Sequence, residues 1–242
     1  MNDRRDRTKI KKRLKIILIS LLLLPVILGG GFLVYASDYY RADETTNAIL
    51  QSGQAQVRDD MIILRPEVAS GSALIFYPGA KVEYTAYLPL LEKLRQNGIT
   101  SVLMKMPFNM AIFSVNAADK AFDELSGIDH WFIGGHSMGG AMASSYAAGH
   151  QEKVKGLVLL GAYIYGDVAP KDALTVYGTL NADLEKHIDY TDNVVIIQGG
   201  NHAQFGNYGE QKGDPKALIS REEQQDIAVQ AILSFIREKT GE

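Results

Sequence analysis

The segment Trp131-Phe132-Ile133-Gly134-Gly135-His136-Ser137-Met138-Gly139-Gly140-Ala141-Met142 passes from an apolar run through glycines into an alanine-rich stretch. Its first part is a strand by composition, and its last part opens a helix running to about residue 148. Between them Gly135-His136-Ser137-Met138-Gly139 fits the pattern G-x-S-x-G. A serine on a sharp strand-to-helix turn sits in strained backbone, and a glycine two residues to either side makes room for it. The turn lifts the hydroxyl clear of the sheet and aims it at a helix N-terminus, where free N–H groups favour developing negative charge. Ser137 is therefore the candidate nucleophile.

Outward from this turn, short apolar runs alternate with amphipathic ones. Strands are predicted over residues 61–64, 73–77, 100–104, 131–134, 154–160, 173–177 and 194–197. Helices are expected from about 87 to 97, 117 to 125 and 138 to 148, with a short one ending near 188. A last helix opens at Ser220, with Glu223 three residues on as a capping box. Near-continuous apolar strands separated by helices indicate an α/β fold, a mostly parallel sheet covered on both faces. Ligands on such sheets bind at the carboxyl ends of the strands.

The N-terminal end differs from this body. Residues 1–15 carry eight basic groups against Asp3 and Asp6, a balance of +6. The other 17 basic and 26 acidic residues leave the remainder at −9, which argues against a nucleic-acid partner. Residues 16–36 carry no charge, and at about 1.5 Å per residue they can cross a hydrocarbon core about 30 Å thick. A transmembrane helix in contact with membrane lipid is expected, its basic end in the cytoplasm and the domain outside. Val34-Tyr35-Ala36 also resembles a signal-peptide cleavage site, so a secreted form is the alternative. The division read from the sequence is a basic segment at 1–15, an anchor at 16–36, a polar linker at 37–56 and a domain at 57–242. The chain has no cysteine, which removes disulfides and cysteine nucleophiles. No metal cluster, P-loop or dinucleotide fingerprint is present, so neither cofactor nor metal is expected.

Of five histidines, His130, His136, His150 and His187 sit where structural or solvated roles are usual. His202 lies after the last predicted strand, in the glycine-flanked loop before the final helix. It is the candidate general base, a neutral imidazole able to take and return the serine proton.

Tyr77-Pro78-Gly79-Ala80-Lys81-Val82, Lys105-Met106-Pro107-Phe108-Asn109, the serine turn and Gly199-Gly200-Asn201-His202-Ala203-Gln204-Phe205-Gly206 together resemble the α/β-hydrolase superfamily. Within it they resemble small cap-less members related to dienelactone hydrolases, over about residues 60–240. Dienelactone hydrolases use a cysteine nucleophile, which this chain lacks, so their substrate does not carry over. The resemblance implies the chain order nucleophile, acid, histidine. It also implies an oxyanion hole from the backbone N–H groups of Met138 and Ala80. The family's aspartate aligns near Asn181, an amide. Asp183, two residues on, is the leading candidate acid, with Asn181 and Asp167 as alternatives. Phe108, Asn109, Phe205 and Tyr208 are expected to line a substrate pocket, with core packing as the other reading.

The implied activity is hydrolysis of a small ester or related acyl compound through an acyl-serine intermediate. Transfer of the acyl group to another acceptor uses the same residues. The rival reading is a tethered, non-catalytic binding or scaffold domain, supported by the amide at the acid position. Residues 161–172 are too few for a large lid, which implies an open site.

Overall fold

The computed structural model describes residues 2–241, and the side chains of all of them except 2–14, 16 and 182. The chain divides into two compact units, Met1–Asp38 and Tyr39–Glu242. The first is one helix, α1 (Asn2–Ser37), with Pro25 inside it. Its stretch Ile17–Ser37 is apolar and, apart from Phe32 and Ala36 near its end, exposed. Such a helix is long and apolar enough to serve as a membrane span or a signal sequence. The basic segment expected over 1–15 lies, apart from its helical backbone and Lys15, outside the described residues.

The second unit begins with α2 (Thr45–Gln51) and β1 (Ala55–Val57). Residues 39–56, expected as a linker, are part of this unit. Tyr40 pairs in parallel with Val82, and the Asp43 carboxylate holds Arg221 at 3.0 Å. Tyr40, Ala42, Ile49, Leu50 and Ala55 also pack against the core, too few and too scattered among polar residues to stand out in the sequence.

The strands follow as β2 (Met61–Leu64), β3 (Ser72–Tyr77), β4 (Thr100–Met104), β5 (His130–His136), β6 (Gly156–Leu160), β7 (Ala173–Gly178) and β8 (Val194–Ile197). Between and after them run α3 (Leu88–Gln96), α4 (Asp119–Glu124), α5 (Met138–Gly149), α6 (Ala182–Glu185) and α7 (Arg221–Thr240). The eight strands form one sheet in the order β1-β2-β4-β3-β5-β6-β7-β8. β2 runs antiparallel to its neighbours, and all pairs from β4 to β8 are parallel.

Successive side chains of a strand point to opposite faces, and the core divides accordingly. Leu74, Phe76, Phe132 and Val158 pack with α3 and α7 on one face. Ile75, Tyr77, Ile133 and Leu157 pack with α5 and the segment around α4 on the other. Burial of each large aliphatic side chain stabilises the fold by about 1.5–3 kcal/mol, so a sheet covered on both faces gains twice over. The carboxyl ends of β3, β4, β5, β7 and β8 open at one edge, and the loops there carry the site.

Candidate active site

Ser137 joins β5 to α5 with φ 53° and ψ −124°. A non-glycine residue in that region costs about 1–3 kcal/mol and persists where the surroundings impose it. Here α5 presses against the end of β3. A Cβ on Gly139 would meet the Tyr77 and Pro78 carbonyl oxygens at 2.3 Å, so only glycine allows the approach. Lys81, Phe108 and Asn109 share positive φ, after β3 and β4. The Lys81 N–H donates to the Asn109 carbonyl at 2.8 Å, pinning those two loops together. Among the described residues, four of the five non-glycine residues with positive φ therefore gather at the carboxyl ends of neighbouring strands.

A cleft of about 350 Å³ brings Ser137, Met138, Tyr163, Asn181, His187 and His202 together. Met138 is the first residue of α5, where backbone N–H groups lack intrahelical acceptors. Ala80 lies half-buried in the turn after β3, and among the described residues its N–H has no protein acceptor. Among the described residues Ser137 Oγ makes no hydrogen bond. Such bonds are often long without substrate and tighten in the complex.

His202 is half-buried in the loop after β8. Burial holds its pKa below the usual 6.5, opposed by the charge of Asp214. The Asp214 carboxylate accepts the backbone N–H groups of His202 and Ala203 at 3.2 and 2.8 Å. Buried Gln224 of α7 brackets the preceding residue, accepting from the Asn201 N–H at 3.0 Å and donating to its carbonyl at 2.8 Å. Neither Asp214 nor Gln224 was legible in the sequence, because each acts on backbone groups and belongs to no side-chain motif.

The side chain beside the imidazole is Asn181, with Nδ2 2.9 Å from His202 Nδ1. Asp183 does not fill that place. It lies on α6 with 93% of its side chain exposed, paired with Lys186 at 2.7 Å, which holds its carboxyl below the usual range. Asn181 caps the one-turn helix α6 beside His202, while Asp183, which also borders the cleft, has its carboxylate on Lys186. Asp167 is exposed in the loop after β6, which contains only a three-residue 3-10 turn, Pro170–Asp172.

The four expected pocket residues separate. Phe205 is fully buried and Tyr208 nearly so, and both belong to the core on the α3–α7 face. Neither is among the cleft-lining residues: Phe205 is buried in the 3-10 turn Ala203–Phe205, and Tyr208 packs against Tyr40 with ring centroids 5.7 Å apart. Phe108 is 46% exposed and packs edge-on against Phe113, with ring centroids 5.6 Å apart. Asn109 is half-buried, and its backbone carbonyl accepts the Lys81 N–H.

Three of the solved structures that share the fold have TM-scores of 0.51 to 0.52. A dienelactone hydrolase from Anabaena variabilis ATCC 29413 is 17% identical, with a TM-score of 0.51 over 75% of this chain and 98% of that one. Est1E from Butyrivibrio proteoclasticus, solved with bound ferulic acid, is 13% identical, with a TM-score of 0.51 over 73% and 94%. A bacterial heroin esterase is 14% identical, with a TM-score of 0.52 over 80% and 89%. No curated protein matches the sequence. The sequence model of the alpha/beta hydrolase family matches residues 73–226, a span that runs from β3 into α7 and holds both Ser137 and His202. With the strand order, the serine turn and the histidine loop in agreement with that match, the chain belongs to the alpha/beta hydrolase family.

Proposed function

We propose that this chain is a serine hydrolase of carboxylic esters or related acyl compounds, anchored to a membrane by α1 with its catalytic domain outside the cytoplasm. The observation that carries the reading is Ser137, strained at the head of α5 and sharing one cleft with His202. Ser137 Oγ attacks the acyl carbon while His202 Nε2 takes its proton. The oxyanion is received by the N–H groups of Met138 and Ala80, and losing one such donor costs about 2.7–4 kcal/mol in a related enzyme. Collapse expels the alcohol, which takes the proton from His202, and leaves an acyl-serine. Water then repeats the sequence, releasing the acid and restoring the serine.

Asn181 supports a role for an amide at the acid position. With Oδ1 turned to the ring it accepts from Nδ1–H and leaves Nε2 bare for the serine proton. With Nδ2 turned to the ring, the orientation this structure has, the proton sits on Nε2 and the base is blocked until the amide turns over. That second orientation favours the rival reading of a binding domain without catalysis.

A fluorophosphonate probe and a short-chain aryl ester distinguish the two readings. The wild-type chain is expected to label on Ser137 and to turn over the ester. Ser137→Ala should do neither while keeping its circular dichroism. An unlabelled wild type, or a Ser137→Ala variant with more than a few per cent of wild-type turnover, rejects the hydrolase reading.

A further inference from the structure

Behind the cleft lies a buried polar chain that the reaction above does not use. The Gly79 N–H donates to Tyr87 Oη at 3.0 Å. Tyr87 Oη lies 2.8 Å from His136 Nδ1, and His136 Nε2 lies 3.0 Å from the His202 carbonyl oxygen. The direction of each bond follows from chemistry. A carbonyl only accepts, so His136 Nε2 carries a hydrogen. A neutral imidazole then presents a bare Nδ1, which the Tyr87 hydroxyl must fill. That leaves the hydroxyl oxygen to accept from Gly79. Tyr87 is fully buried and His136 is 1% exposed. Burial pushes the tyrosine hydroxyl's pKa up and the imidazole's well down, so both stay neutral.

The three backbone segments joined this way are the ones that carry the proposed machinery. Gly79 precedes Ala80, the proposed oxyanion donor. His136 precedes Ser137. The His202 carbonyl belongs to the proposed base, whose ring centroid lies 4.5 Å from that of His136. The space is filled: a Cβ on Gly79 would lie 2.8 Å from Tyr87 Oη and 2.9 Å from His136 Nδ1.

We propose that Tyr87 and His136 are positioning residues, a neutral relay that sets the oxyanion turn and the base at a fixed distance from the nucleophile. The role rests on the serine hydrolase reading. A misplacement of about 1 Å in such a constellation costs about 100-fold in rate, so loss of the relay should be read in turnover before it is read in folding.

Tyr87→Phe in the full chain in detergent is the decisive variant, since it removes one oxygen and keeps the ring that packs on Phe76. Its kcat on the aryl ester and its fluorophosphonate labelling rate should both fall by about 10–100-fold, with KM within about threefold of wild type. His136→Gln, whose amide N–H replaces the Nε2 donor, should retain more turnover than His136→Ala. Nitrogen NMR of histidine-labelled wild type should show His136 as the neutral Nε2–H tautomer, and Tyr87→Phe should shift the His202 signals. Wild-type kcat and labelling in a folded Tyr87→Phe chain overturn the relay while leaving the hydrolase reading intact. The Nδ1–H tautomer at His136 likewise overturns it. A wild-type chain that neither labels nor turns over rejects the hydrolase reading, and this role with it.

Discussion

Asn181 and Asp183 are two residues apart, yet their side chains meet different surroundings. One touches the imidazole of His202, and the other pairs with Lys186 in solvent. An exposed pair of that kind contributes little to stability, so Asp183→Asn should be nearly silent in both melting and turnover. Asn181→Asp should raise turnover by about 10-fold or more, since the reverse exchange in a serine triad lowers it about 10⁴-fold. The pH profile carries the same logic. His202 acts when neutral, and burial lowers its pKa, so activity should fall only as pH drops below 6.5. A carboxylate at 181 favours the imidazolium and should move that acid limb upward. Asp214→Asn removes a charge that favours the imidazolium and should move it downward. Profiles of kcat/KM against pH for the three chains check the argument, and a limb that neither substitution moves would refute it.

Strand β5 and helix α5 meet at Ser137 only because two backbones come into contact. The sequence pattern of spaced glycines announced this turn, and the structure supplies the reason in the carbonyls of Tyr77 and Pro78. Gly139→Ala must push α5 away from β3, so activity should fall by about 100-fold. Overpacking of this kind typically destabilises by about 1–3 kcal/mol. Gly149, at the far end of the same helix, has open space around its would-be Cβ. Gly149→Ala should leave activity unchanged and raise stability slightly, by at most about 1 kcal/mol. Ester turnover and denaturant melts on both variants separate a requirement of the elbow from a general aversion of α5 to alanine. Equal behaviour of the two would show that close approach is not what the glycine serves.

At the level of the whole molecule, charge and hydropathy are distributed along the chain rather than mixed. The first 15 residues hold +6 and the remainder −9, with an uncharged stretch between. Under the proposed anchoring, basic residues on the cytoplasmic side of the membrane helix would leave the acidic domain outside. The full-length chain should remain with membranes after carbonate washing and be released by detergent, and protease added to intact cells should digest the domain. Recovery of most of the protein in the medium, beginning at Ser37, would show instead that the segment is a cleaved signal.

The β5–α5 turn, the parallel strands and the histidine loop could be read along the chain because each is a local pattern. Period-2 and period-3.6 hydrophobicity, spaced glycines and the capping box at Ser220, whose Oγ accepts the Glu223 N–H at 3.1 Å, all act within a few residues. The acid position could not be read this way. Whether residue 181 or 183 meets His202 depends on how one short helix is turned against a loop 20 residues further on. The same holds for Phe205 and Tyr208, whose aromatic rings suit a pocket and a core equally well by composition and which packing assigned to the core. The attachment of residues 39–56 to the domain, the grip of Gln224 and Asp214 on the base loop and the Tyr87–His136 chain all join residues far apart in sequence. Their bonds run largely to backbone atoms, which every residue type carries alike, so only the folded arrangement distinguishes the residues that make them.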